Sequence, residues 1–254
     1  MKFEKAIPGA IGTGVGIVGA VITRHFAIAA NAGNVAKILY ALSLICVILG
    51  IIGVVIPFLP KREKVSTKTL VLASMFAALC YIGFTFFKID IPVGTEKTAF
   101  HLGNVFCVLA ALLLGGLWGG MAGAVGMTIA DLTTAYVTSA PKTFLLKLCI
   151  GLIVGWVAHK IFKISRKADR KIPLPVAAAV SCSAGMLFNV VADPIVGYFY
   201  KTCIMGVPQD AALIWMKIGA LTTLVNAVIA VAAATLLYLA LRSALERDKL
   251  VKDA

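Results

Sequence analysis

Near its start the chain reads GTGVGIVGAV over Gly12–Val21, a stretch open to two incompatible readings. Gly14, Gly16 and Gly19 have the G-x-G-x-x-G spacing of a dinucleotide-binding loop. Such a loop needs a strand before it, a helix after it and an acidic residue about 20 positions on for the ribose. Here only MKFEKAIP precedes the glycines, and no Asp or Glu occurs between Glu4 and Glu63. The flanks are apolar, and Gly12 and Gly16 also have the small-xxx-small spacing that lets two membrane helices approach closely. The glycines read as helix packing in lipid.

Composition argues the same way along the whole chain. It is 61% hydrophobic with a mean hydropathy of +0.99, well above the roughly half-apolar make-up of soluble domains. A hydrocarbon core about 30 Å thick takes about 20 mostly apolar residues per helix. Eight such spans can be counted, at about 6–23, 36–59, 69–87, 100–115, 117–135, 142–160, 173–199 and 211–241. The reading is an all-α integral membrane protein.

The net charge of +13 would suggest nucleic acid as the partner of a soluble protein, but its distribution excludes that reading. Of 24 Lys and Arg, 16 fall in four segments, at 2–5, 61–68, 160–171 and 242–252. With eight spans these four segments share one side of the membrane, and the positive-inside rule makes that side cytoplasmic. Both termini are then cytoplasmic. Lys2, Lys5, the first apolar run and AIAAN at 27–31 also resemble a secretory signal with its cleavage site, but Arg24 and His25 intervene and favour a retained helix. The stop at PFLPKREKVSTKT separates a two-span front, residues 1–60, from a six-span remainder, residues 61–254. Six cysteines, Cys46, Cys80, Cys107, Cys149, Cys182 and Cys203, stand singly and mostly inside spans, so they read as small core residues rather than a metal or disulfide framework. No Walker A sequence, HExxH or paired-aspartate motif occurs, so no ATPase, catalytic site, metal or cofactor is assigned.

Nearly all polar residues at membrane depth lie in the six-span part, toward its external end. They include Asp90, His101, Asn104, Asp131, Lys147, Asn189, Asp193, Trp215 and Lys217. Charges at depth are costly and face a partner or a cavity. Asp131 and Lys147 flank a turn near Thr138 at matching depth, which suggests an ion pair with either a structural or a ligand role. Asn189 and Asp193 share a helix face, and Pro194 frees a backbone carbonyl beside them, which suits a kink or a polar cavity equally. His101 and Asn104 stand at a helix start, where they fit a ligand or a cap. Tyr136 and Trp215 can stack on a flat ring or belong to the interfacial belt. The glycines of GGLWGGMAGAVGMTIAD and the pair Gly151 and Gly155 read as close helix packing.

The segments LVLASMFAALCYIGF and HLGNVFCVLAALLLGGLWGGMAGAVGMTIADLTTAYVTSAPKTFLLKLCIGLIVGW carry a family likeness. From about Lys68 to Leu245 the chain resembles the S components, the substrate-capture subunits, of energy-coupling factor (ECF) vitamin transporters. It is most similar to the group with riboflavin-, pyridoxine- and hydroxymethylpyrimidine-type members. The resemblance implies a six-helix core with cytoplasmic termini in a prokaryotic cell membrane, here preceded by an extra transmembrane hairpin. It implies no covalent chemistry, but capture of a water-soluble vitamin or precursor at the external face for ATP-driven uptake. It further implies a transmembrane scaffold subunit docking on Ala73 and Ala77, and two ATPase subunits. His101, Asn104, Asp131, Tyr136, Lys147, Asn189, Asp193 and Trp215 are the expected substrate contacts. The last helix departs from the family pattern: Asn226 is followed three positions on by Ile229 rather than Gln. A stand-alone ion-coupled transporter working through Asp131 or Asp193 is the alternative reading.

Overall fold

The structure, a computed structural model, describes residues 66–94, 96–165 and 172–247. The chain divides into two compact units, Met1–Lys64 with Cys203–Gly206, and Val65–Thr202 with Val207–Ala254; the second is the body described below. The expected front hairpin, residues 1–60, and the basic segment from Lys61 to Lys64 lie outside the described residues.

Six α-helices and one β-hairpin make up the body: α1 (Thr67–Thr85), β1 (Lys88–Val93), β2 (Glu96–His101), α2 (Gly103–Leu114), α3 (Gly116–Leu132), α4 (Ala140–Trp156), α5 (Leu174–Phe199) and α6 (Gln209–Arg247). Single π-type turns prolong α4 at Val157–Ile161 and α5 at Tyr200–Met205. Among the described residues four stretches, Thr67–Thr85, Val137–Ile161, Leu174–Met205 and Gln209–Arg242, are long and apolar enough to cross a bilayer. The large apolar side chains left exposed on these helices, such as Met75, Leu187, Leu221 and Leu236, suit a hydrocarbon surround. The body is an all-α membrane protein.

The last six predicted spans correspond to the six helices with one revision. The segment expected to enter a helix at residue 100 instead completes a strand, and α2 starts at Gly103. KIDIPVGTEKTAFH, most of which falls between the predicted spans 69–87 and 100–115, is an antiparallel hairpin running from the Lys88–His101 pair to the Val93–Glu96 pair. Gly94, at φ +60°, occupies the first position of its two-residue loop, where tight hairpins call for positive φ. His101 is therefore the last residue of β2, and Asn104 alone belongs to the first turn of α2.

α2 is the centre of the bundle and packs against α1, α3, α4, α5 and α6. It is apolar on every side, as an enclosed helix must be, and Val108 to Leu112 are almost wholly buried. Its neighbours come close because they carry glycine. A Cβ at Gly119 would overlap the backbone at Ala111, and one at Gly123 would overlap Cys107. On the other side of α3, Gly116 faces Gly155 and Gly120 faces Gly151 of α4, backbone against backbone. Gly115, at φ +84°, lets α2 turn directly into α3.

The two alanines expected to dock a scaffold subunit are turned inward. Ala73 is buried, and the carbonyl of Ala77 packs against Gly126 of α3. The physical reason is that α3 presents glycine to α1, so the small residues of α1 close an internal contact. The exposed side of α1 instead carries Val71, Met75, Leu79 and Ile82.

Two glycine substitutions separate these contacts from mere flexibility. Gly151→Ala is expected to lower the melting temperature, since overpacking a tight seam costs about 1–3 kcal/mol. At Gly219 of α6 an added methyl meets open space, and Gly219→Ala should raise stability by up to about 1 kcal/mol through helix propensity. Thermal unfolding in detergent reads both, and equal responses would show that the α3–α4 seam is loose.

Candidate functional site

Twelve residues of α2 rise only about 18 Å, well short of the hydrocarbon thickness. Beyond the N-terminus of α2 the bundle encloses a cavity of about 320 Å³. Asn104 of α2 lines it from that end, and α3, α4, α5, α6 and the β-hairpin supply the rest of the wall. All eight residues singled out from the sequence, His101, Asn104, Asp131, Tyr136, Lys147, Asn189, Asp193 and Trp215, line this one cavity. Asp90 and Lys217 do not.

The deep residues share a property. Asn104 and Asp131 are 2% exposed, Asn189 is 1% and Lys147 is 7%. Asn104 Oδ1, Asp131 Oδ2, Asn189 Oδ1 and His101 Nδ1 are buried without a hydrogen-bond partner. Among the described residues, no hydrogen bond or ion pair reaches the Lys147 ammonium either. Buried polar groups in folded proteins are almost always satisfied, and each exception calls for an explanation. Four such exceptions, with the Lys147 side chain beside them, converge here on one space.

The expected ion pair between Asp131 and Lys147 is not formed. Matching depth was a sound inference, but depth leaves the direction around each helix open, and the side chains take other neighbours. Asp131 lies against Thr143 of α4. Asp193 is engaged by Lys142, whose Nζ donates to Oδ1 at 2.7 Å, while Thr223 of α6 donates to Oδ2 at 3.1 Å. One carboxylate thus ties α4, α5 and α6 together at the wall, directly before Pro194, which also lines the cavity.

The hairpin is fixed over the site by side chains that sequence reasoning did not single out for this task. Asn226 of α6 donates from Nδ2 to the carbonyl of Ala99 and accepts from the backbone N–H of His101, both at 3.0 Å. Tyr136 donates to Asp90 Oδ1 at 2.9 Å, and Lys88 approaches the same carboxylate at 3.4 Å. Burial first, and the Asp90 bond second, hold the Tyr136 phenol well above its ordinary range, so it remains a donor. Phe84 packs on the His101 ring at 4.6 Å and meets Tyr136 edge-on at 5.5 Å. Tyr136 is therefore a strut of the hairpin as well as a wall residue. On the far side, Lys201 covers one face of Trp215, with Nζ 4.1 Å from the ring centroid.

Lys142, Thr143, Thr223 and Asn226 were not among the expected contacts. Their signal in the sequence was weak but real: Thr222, Thr223 and Asn226 are the polar residues of an otherwise apolar stretch and share one helix face. Among the described residues no group of three His, Cys, Asp or Glu side chains is arranged to hold a metal ion. The cavity can bind and orient a small polar molecule.

Comparison with known proteins places this arrangement. Residues 64–243 match the family described as "ECF-type riboflavin transporter, S component". A protein of Pyrococcus woesei, described as an "Uncharacterized protein in gap 3'region", is 37% identical over 68 residues, which is 27% of this chain and 45% of that protein. The match thus spans less than half the length of that relative. No solved structure matches.

The His101 ring yields a test of how dry the hairpin side of the cavity is. Burial, and next the neighbouring Lys147 charge, lower its pKa from an ordinary 6.5 to about 3. The unfolded chain takes up a proton near the ordinary value, whereas the fold refuses it until about pH 3. The contribution of neutral His101 to stability is therefore complete above pH 6.5 and is lost as the pH falls through that window. The melting temperature of His101→Gln should fall less steeply than that of the natural chain between about pH 7 and about pH 5. Parallel curves would show a water-exposed imidazole.

Proposed function

We propose that this chain, which belongs to the S-component family of ECF-type transporters, captures a water-soluble vitamin or vitamin precursor in the cavity above α2. The observation that carries the reading is the convergence of four unpartnered buried polar atoms, with the Lys147 side chain beside them, on one cavity in a membrane protein. Leaving a polar group buried and unbonded costs roughly 1–3 kcal/mol, and more for a charge, so a fold keeps such groups only where something else satisfies them. Asp131 Oδ2, Asn104 Oδ1 and Asn189 Oδ1 accept hydrogen bonds, whereas the Lys147 ammonium donates. A fitting ligand brings N–H or O–H groups to the first three and a carbonyl or anionic oxygen to the lysine, with a flat ring against Trp215.

The side of entry follows from charge. The helix ends away from the cavity carry Lys68, Lys160, Lys163 and Arg242, and the positive-inside rule makes that side cytoplasmic. The cavity then opens outward and the termini lie inside. Transport is proposed to need the partners of ECF importers, a transmembrane scaffold and two ATPases. Because Ala73 is buried and Ala77 packs against the core, the scaffold is proposed to meet α1 on the apolar side formed by Val71, Met75 and Leu79.

Purification of the intact chain in detergent, followed by mass spectrometry of released small molecules, tests the reading; riboflavin, named in the family description, is the first compound to assay. Recovery of one compound in near-stoichiometric amount is the expected result. No co-purifying compound, together with no thermal shift from any of a panel of water-soluble vitamins, would sink it. Lys147→Met should weaken binding of the recovered compound at least tenfold, about 1.4 kcal/mol, without lowering the melting temperature. Unchanged affinity would remove the lysine from the site.

A further inference from the structure

Two cations on α4, Lys142 and Lys147, line the same cavity as the carboxylate of Asp193, yet only Lys142 holds it. Both Asp193 oxygens are occupied, Oδ1 by Lys142 and Oδ2 by Thr223. Lys147 is the more deeply buried cation, and burying an unpaired ammonium is far costlier than burying a paired one. Asp193 and Lys147 line the same cavity, yet the carboxylate is held by the less buried lysine.

We propose that Lys142 is a positioning residue for ligand capture: by pairing with Asp193 across α4 and α5 it keeps that carboxylate off Lys147 and leaves the Lys147 ammonium open to the ligand. The proposal rests on the reading of the cavity as a ligand site. Lys142 itself need make no ligand contact. Without it, Asp193 is left with Thr223 as its one side-chain donor, and Lys147, on the same helix and lining the same cavity, becomes its replacement partner. A pair between Asp193 and Lys147 would occupy the donor the ligand uses, and the site would close on itself. The same logic explains why Lys142 lies nearer the start of α4, toward the open end, where water lowers the cost of holding an ion pair.

The test is a double-mutant cycle on the full chain without ligand, read by melting temperature. In the natural background Lys147→Met removes an unpartnered buried cation and should raise the melting temperature, by roughly 2–4 °C. In the Lys142→Met background the same change takes away the substitute partner of Asp193 and should lower it by a similar amount. Lys142→Arg, which preserves the pair, should keep the natural sign. In the Lys142→Met/Asp193→Asn background, which leaves no carboxylate to be stranded, Lys147→Met should again be stabilising; this background also serves if Lys142→Met alone folds poorly. Additive effects, or destabilisation by Lys147→Met in every background, would overturn the proposal. These signs do not depend on any ligand, so a failure of the ligand reading would show in the co-purification experiment and leave them unchanged.

Discussion

Everything in the body is arranged around a helix too short to cross the membrane. α2 is enclosed on all sides, and it can be enclosed only because the helices around it come within backbone distance. Glycines at 119 and 123 let α3 lie on Ala111 and Cys107, and the facing glycines of α3 and α4 draw the next layer in. Without hydrophobic driving force between helices in lipid, such close contact is the main source of association. A central rod of about 18 Å inside longer neighbours leaves space at one end. The cavity is the geometric remainder of that mismatch, roofed by the one piece of β-structure among the described residues.

What fills the wall of that space shows two different uses of buried polarity. Around the rim, groups are satisfied within the chain: Asp193 by Lys142 and Thr223, Asp90 by Tyr136 and Lys88, the hairpin backbone by Asn226. These contacts fix helices and hairpin relative to one another. Deeper in, Asn104, Asp131, Asn189, His101 and Lys147 are left open. On the proposed reading, a satisfied rim around an unsatisfied centre serves as a preorganised site, because the rim holds donors and acceptors in place while the centre lacks partners of its own. The cost falls on the stability of the empty protein, as is common where function needs strained or unpaired groups.

The fold was legible in the sequence because membrane helices announce themselves by length and hydropathy, and the basic segments order them. The cavity lining was legible for a related reason: at membrane depth each polar side chain stands out, and the eight singled out line one cavity. What could not be read was the direction of each side chain around its helix. That is why Asp131 was matched to Lys147 by depth while Lys142, one position beyond Pro141, is the lysine that finds a carboxylate. Ala73 and Ala77 were read as a docking stripe on the same footing, since spacing alone does not say which neighbour a stripe of small residues faces. The hairpin escaped notice because Pro92 and a short alternating run resemble a loop; the Gly94-Thr95 pair between Val93 and Glu96 was its readable signal.

The departure in the last helix looks different once α6 is in place. A missing Gln at position 229 suggested a missing ligand contact. Gly219, Thr222, Thr223 and Asn226 follow one face of α6 and line the cavity, whereas Ile229, at the edge of that face, is 37% exposed and does not line it. The cavity-facing series continues instead at Ala230, which is wholly buried. Isoleucine at 229 is thus not part of the cavity wall. Asn226, for its part, uses both ends of its side chain on Ala99 and His101. α6 contributes to this site by holding the hairpin and the Asp193 carboxylate, and the open polar groups that remain for a ligand all come from β2, α2, α3, α4 and α5.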